Sequence, residues 1–188
     1  MELNQAKGPS VVPERLAFPA AIEGVVKGLG PLVTERTKQR LAEAGLDLHH
    51  IPPAIPAERM PVYFKAIALD IWPDLAEDER IRLLGLHFIR GWQHTLLGRA
   101  ASAFLKLIGP HRSLSRLDRA FRTSDNYTQA TYELVHEHEV LLHISDVDGL
   151  PTYWVGLLSG SLEFLGLEGT VELERFPKPG ASYRCTWK

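Results

Sequence analysis

Residues 74–110, DLAEDERIRLLGLHFIRGWQHTLLGRAASAFLKLIGP, decide the fold, and they predict one long helix. Asp74 and Glu77 have the spacing of a capping box, and Asp78 and Glu79 put negative charge at the positive end of the helix dipole. At the far end Lys106 sits in the last turn, Gly109 can turn left-handed and Pro110 cannot extend the hydrogen-bond ladder. Between these limits Leu83, Leu84, Phe88, Ile89, Trp92, Leu96, Leu97, Phe104 and Leu105 cover nearly every direction of a helical wheel. Such a helix must be wrapped by other elements. At ~1.5 Å per residue it would run on the order of 50 Å, more than a domain of this size needs, so a bend or break is expected at Gly91 or Gly98.

One stripe of this segment carries polar chemistry. At roughly 100° per residue, His87, Gly91, His94, Gly98 and Ala101 fall close to one line. It reads either as a groove, where glycines admit a ligand between two imidazoles, or as tight helix packing with two hydrogen-bonded histidines. Chelation of a metal by the two histidines is disfavoured, because residues seven apart lie about 10 Å apart along a helix.

Upstream, residues 1–15 are polar and proline-marked and are expected to be a loose lead-in, with one α+β domain over 16–188. Residues 16–30 read as a strand that becomes a short helix, and residues 34–44 as an exposed helix stopped by Gly45. Residues 46–56, LDLHHIPPAIP, must be extended, since each proline disfavours helix in the residue before it. Adjacent His49 and His50 then point apart, towards solvent. Residues 57–72 return to helical periodicity with Val62, Ile67, Leu69 and Ile71 available for packing, and Pro73 ends the run.

Downstream, residues 111–123 predict a helix whose Arg112, Arg116, Arg119 and Arg122 form either an anion site or a solvated face, with Leu114, Leu117 and Phe121 turned inward. RTSDNY, residues 122–127, is a cluster of turn formers whose Arg122, Asn126 and Tyr127 would line a polar pocket or simply make the turn. From Gln129 the period changes to two. Residues 131–135 and 140–145 predict a hairpin with HEHE at 136–139 in its turn, where two mobile imidazoles without a third ligand do not make a metal site. Residues 152–165 predict a helix with Gly156 and Gly160 spaced to lie flush on a neighbour. Residues 170–176 and 181–187 predict a last hairpin, with Tyr183, Cys185 and Trp187 on one face and Arg184 and Thr186 on the other. The fold expected is α+β: a helical bundle around a long central helix, packed on a small antiparallel sheet of C-terminal hairpins.

Composition narrows the function. A chain of 188 residues with a net charge of −2 lacks the basic footprint of a general nucleic-acid binder. A single cysteine, Cys185, excludes an internal disulfide and any multi-cysteine metal site. No run reaches transmembrane length and the first residues lack a signal-peptide pattern, so a soluble cytoplasmic protein is expected.

Four stretches, GLDLHHIPPAIP, GWQHTLLGRA, FRTSDNY and the closing YRCTW, resemble a family of single-domain proteins of unknown function expanded as paralogues in myxobacteria. The order of elements is also similar to a wider superfamily that holds four-vinyl-reductase-like ligand-binding domains, haem nitric-oxide-binding domains and TRAPP vesicle-tethering subunits. The resemblance implies a sensor or scaffold, often dimeric, with an apolar pocket between helices and sheet. The chain departs from each branch. It lacks the Tyr-x-Ser-x-Arg motif that grips haem propionates, it lacks the several cysteines that hold zinc, and Cys185 is misplaced for the acyl-carrying cysteine of the tethering subunits.

Three classes of function follow. The first is a non-enzymatic ligand-binding or sensory module for a small apolar or anionic molecule, contacted by His87, Gly91, Trp92, His94, Gly98, Arg122, Asn126, Tyr127 and Trp154. The second is a homodimeric interaction scaffold with an exposed apolar patch on the helix over 152–165. The third is an enzyme built on His94 with Asp125 or Tyr127. No catalytic residue, metal ligand, cofactor, nucleic-acid partner or membrane span is expected.

Overall fold

The computed structural model describes residues 14–188, and every side chain among them except those at 96, 97, 101–103, 106, 118 and 120. Residues 1–13 of the lead-in expected over 1–15, and the roles assigned to the side chains of Leu96, Leu97, Ala101 and Lys106, lie outside the described residues. The helices are α1 (Pro19–Leu29), α2 (Glu35–Glu43), α3 (Met60–Ile71), α4 (Glu77–Trp92), α5 (Leu96–Ile108), α6 (Pro110–Leu114), α7 (Leu117–Phe121) and α8 (Pro151–Phe164). The strands are β1 (Leu16–Ala17), β2 (Ile55–Pro56), β3 (Ala130–His136), β4 (Glu139–Ile144), β5 (Gly169–Arg175) and β6 (Ala181–Trp187). The α+β architecture is therefore as expected.

The long central helix is instead two helices. Its break falls at Gln93–Thr95, between the two glycines where a bend was expected. Thr95 is the cause. Its hydroxyl donates to the Trp92 carbonyl at 2.7 Å and accepts from the Gly98 N–H at 3.0 Å, closing one helix and capping the next. The capping box at the start is also absent. Ala76 holds the N-cap position without a side-chain bond, although Glu77, Asp78 and Glu79 do fill the first turn. Residues 111–123 likewise split into α6 and α7, with the Ser115 hydroxyl turned onto the Arg112 carbonyl at the break and that of Ser113 reaching back to the Leu105 carbonyl of α5. Val62 and Leu69, assigned to packing, are exposed, whereas Ile67 is buried.

The most buried helix is α8. It lies between α4 and a four-stranded antiparallel sheet of order β3-β4-β6-β5. Period two sets the sheet's inner face: Val140, Leu142 and Ile144 of β4 and Tyr183, Cys185 and Trp187 of β6 are buried against the helices. Arg184 and Thr186 sit on the other face, Arg184 between Glu139 and Glu174. Cys185 is a core residue whose thiol burial pushes up to about 12.

Helix α4 is clasped by α1 on one side and α8 on the other, and both crossings are at backbone contact. A Cβ on Gly85 would stand 1.9 Å from the Tyr153 carbonyl, and one on Gly156 would stand 1.8 Å from that of Arg82. The α1 crossing repeats the device: a Cβ on Gly28 would meet the His87 carbonyl at 1.7 Å and one on Gly91 would meet that of Gly24 at 1.9 Å. Small residues thus let the axes approach more closely than side-chain ridges allow. The apolar patch expected on the helix over 152–165 is consequently not exposed, since that face is taken up by α4 and the sheet. Gly→Ala normally gains about 1 kcal/mol of helix propensity. Here G85A and G156A should each lower the unfolding free energy by about 3 kcal/mol in urea titrations, while G160A, whose Cβ would meet side-chain atoms at 3.1 Å or more, should cost far less.

Candidate functional site

Two cavities of about 60 Å³ each lie side by side in the helical layer. The first is lined by Ile89 and Trp92 of α4, Leu105 of α5, Leu117 of α7 and Phe164 of α8, with Ser113, Ser124 and Ser161 as its polar residues. The second lies under Ala17 and Phe64, against Tyr153, Trp154 and Leu157 of α8. Phe88, Phe121 and Ser124 line both, so the cavities are neighbours separated by two phenyl rings. Phe121 is fixed edge-on to Trp154, with centroids 4.8 Å apart.

The second cavity has a polar mouth, formed by Asp125, Tyr127, Thr128 and Asp148. Asp125 sits in the turn after α7, where one carboxylate oxygen accepts the N–H groups of Tyr127 and Thr128 at 3.0 and 2.6 Å. Asp148 lies in the tight loop before α8 with φ of 50°, a left-handed conformation that Asp tolerates when its own loop bonds it, here through the Asp146 side chain at 3.0 Å. The Tyr127 hydroxyl donates to Asp148 at 2.5 Å. Arg15 reaches in from the chain start, 2.8 Å from Asp146 and 2.7 Å from Asp148, with its guanidinium 4.4 Å from the centre of the Tyr127 ring.

Burial wins over this pairing. It pushes the Asp148 carboxyl up to about 6, against the pull of the Tyr127 hydroxyl and of Arg15, and raises Asp125 as well. Tyr127 and Tyr153 are raised far out of the physiological range by the same desolvation, reinforced by the carboxylates, and remain neutral hydroxyls. One cation faces three carboxylates, and the mouth stays net negative.

The residues expected from the sequence to contact a ligand separate into groups. Trp92 lines the first cavity; Tyr127 and Trp154 line the second. His87 and Gly91 belong to the α1–α4 crossing, where the His87 Nδ1 bonds the Gly28 carbonyl at 2.9 Å and its ring rests 5.6 Å from that of Trp72. Gly98 faces the Trp92 carbonyl. His94 is exposed in the turn between α4 and α5 and lines neither cavity, whereas Asp125 and Tyr127 line the second. Arg122 is exposed along with Arg112, Arg116 and Arg119. Asn126 ties down the chain start, accepting from the Leu16 N–H and donating to the Glu14 carbonyl. The sequence reading missed Arg15, Ser124, Asp146 and Asp148. The Asp-Gly of DVDGLP marked a turn, but nothing local signalled that the turn meets Arg15 from 133 residues away.

Solved structures share this architecture. A doubly substituted Tt H-NOX domain superposes with a TM-score of 0.65 at 15% identity, over 90% of this chain and 94% of that one. A mutant T. tengcongensis H-NOX gives 0.59 at 17% identity, covering 88% and 97%. An oxygen-binding H-NOX domain related to soluble guanylate cyclases, in its oxygen complex, gives 0.60 at 16%, covering 89% and 93%. The class is thus an H-NOX-like fold, and at these identities the likeness is one of fold. The chain itself belongs to the protein family of unknown function DUF2378, whose model matches residues 15–188. No curated protein matches it.

Folding raises the Asp148 carboxyl from 3.8 to about 6, so between those values the folded protein holds a proton that the unfolded chain has lost. Stability contributed by this group is therefore full below 3.8 and falls as pH rises through about 6. The D148N protein should lack this dependence. The difference in unfolding free energy between wild type and D148N should swing by on the order of 2 kcal/mol between acid and neutral pH, read by urea titration at each pH.

Proposed function

We propose that this protein is a non-enzymatic binding module for a small apolar molecule, held in the adjoining cavities around Phe88 and Phe121. The observation that carries the reading is the pair itself: two largely apolar voids side by side, each larger than a water needs, with the carboxylates and hydroxyls of the second confined to its mouth. A packed core of this size would close such space, since lost contacts cost stability. The H-NOX-like fold supports a sensory role. No helix among the described residues is long and apolar enough to cross a membrane.

Structurally similar H-NOX proteins are described as haem proteins and, in one case, as oxygen-binding. The residues of this chain do not fit haem. Each cavity is about 60 Å³, whereas sites for cofactors of that size span roughly 300–1,000 Å³. None of the eight histidines lines either cavity: His49, His50 and His94 are exposed, and His87 bonds Gly28. His111 bonds Tyr132 and Glu137, His136 pairs with Glu139, His138 rests on Trp187, and His143 lies between Ser182 and Glu133. Carboxylate side chains would also meet Asp125, Asp146 and Asp148 at the mouth. A neutral ligand suits this site better than an anionic one.

Xenon is a suitable apolar probe. In protein labelled with 5-fluorotryptophan, xenon should shift the fluorine resonances of Trp92 and Trp154 and leave those of Trp72 and Trp187 in place. Ser124→Leu, which fills the junction, should suppress both shifts in a folded protein; undisturbed shifts in that variant would place xenon elsewhere.

A second reading, a homodimeric interaction subunit, is favoured by α5, where Leu107 is 85% and Phe104 51% exposed. One sample decides between them. Protein expressed with excess haem precursor should show no Soret absorbance, and native mass spectrometry should find a small, non-haem added mass. A stoichiometric haem mass would overturn the assignment, and a clean dimer without added mass would favour the second reading.

A further inference from the structure

The walls of the second cavity differ in strength. Its α4 and α8 sides are locked by the Gly85–Gly156 crossing, where backbone meets backbone. Its outer side is bordered by residues 15–17. Ala17 belongs to the cavity lining, and β1 pairs with β2 over two residues only, Leu16 with Pro56 and Ala17 with Ile55. A few further bonds hold this short segment. The Phe18 N–H donates to the Ser124 carbonyl at 2.8 Å, the Asn126 N–H to the Leu16 carbonyl at 3.1 Å, and the Ala57 N–H to the Arg15 carbonyl at 2.9 Å. Arg15 then pins the outer end on Asp146 and Asp148.

We propose that residues 15–17 are a strap gating the second cavity, latched by Arg15 on Asp146 and Asp148 and loosened when acid removes one of those two carboxylate charges. The inference rests on the ligand-binding reading above. A two-residue strand pair is marginal by itself, so the strap depends on its end contacts.

Of the two latch carboxylates, Asp148 is the one that burial raises, to about 6. The groups facing it are Arg15 from the strap, Tyr127 and Asp125 from the turn after α7, Asp146 from its own loop and Tyr153 from α8 beneath. Glu58 and Lys178 border the outer side of the same surface. Of these only Arg15 is bonded to Asp148 as a cation, so protonation turns an ion pair into a weaker ion–dipole contact and leaves Asp146 to hold the guanidinium alone. Burial brings this change to about pH 6, where the Asp148 carboxyl titrates. The relief of the buried charge stabilises the folded chain globally while it frees the strap locally.

Two readouts test the proposal on the full chain. Strap opening is read from amide hydrogen exchange at Phe18, Asn126 and Ala57, corrected for intrinsic rates; passage is read from the xenon residence time in each cavity by exchange-saturation xenon NMR. At neutral pH, Arg15→Ala should lower protection at those amides about tenfold and shorten the residence time beside Trp154 by a similar factor, with no change beside Trp92. Acidifying wild type to about pH 5 should do the same. Asp148→Asn should behave at neutral pH as wild type does in acid and lose the pH response, and Arg15→Lys should restore most of the protection. Residence times beside Trp154 that ignore Arg15 and pH overturn the gate even if the strap opens, and leave the ligand-binding reading standing. Absence of bound xenon from both cavities overturns that reading, and the gate with it.

Discussion

The backbone contacts of α4 are what the rest of the structure depends on. Gly85 and Gly156 bring α4 against α8, and Gly28 and Gly91 bring it against α1, each at a distance no Cβ can occupy. Axes held that close fix the angles at which the three helices cross, because a helix seated backbone on backbone cannot slide or roll without a clash. The sheet follows from the same constraint. It covers the side of α8 that α4 leaves open, and the Tyr183 hydroxyl, donating to the Pro151 carbonyl at 3.0 Å, sets where the helix begins on it.

Close crossing in one place leaves space in another. Beside these crossings the helices meet through aromatic rings, which prefer offset-stacked and edge-on arrangements. Phe64 stacks on Tyr153 at 4.9 Å, Phe121 stands edge-on to Trp154, and Trp92 meets Phe164 edge-on at 6.2 Å. The two cavities adjoin these rings. The cover of the first cavity, α5 to α7, is cross-linked through single side chains such as Ser113 and His111. The rigid and the yielding walls of the candidate site thus come from different regions of one fold.

Charge at the mouth acts differently from charge elsewhere on the molecule. Glu35, Asp47 and Glu77, all exposed, and the half-buried Glu79 are carboxylates lowered by hydrogen bonds from neighbours close in the chain or, for Glu77, from Lys65. Such pairs contribute little to stability. Asp148 and Asp125 are raised because burial outweighs every favourable contact they make. Buried carboxylates of that kind are costly to keep, and in this fold they stand where an apolar cavity meets solvent.

Much of the architecture was legible in the residues. Period two marked β3 to β6 and assigned Tyr183, Cys185 and Trp187 to the inner face, and glycine spacing marked α8 as a helix that lies flush on another. Local signals failed where a local competitor acted. Thr95 broke a helix that hydrophobicity ran straight through, and Ser115 stands at the break in the next. The candidate site was legible only partially. Tyr127 was picked out by its cluster of turn formers, and Trp92 and Trp154 as neighbours of an expected apolar cavity, while His87 and Gly91, chosen on one helical stripe, serve the crossing with α1. Residue order alone dictates which segments are helix or strand and which face of each is apolar, because those properties depend on neighbours within a few residues. It takes the folded chain to set Gly91 against a helix, Arg15 against Asp146 and Asp148, and Phe88 and Phe121 between the cavities, because those contacts join positions far apart in the chain and exist only once the helices have crossed.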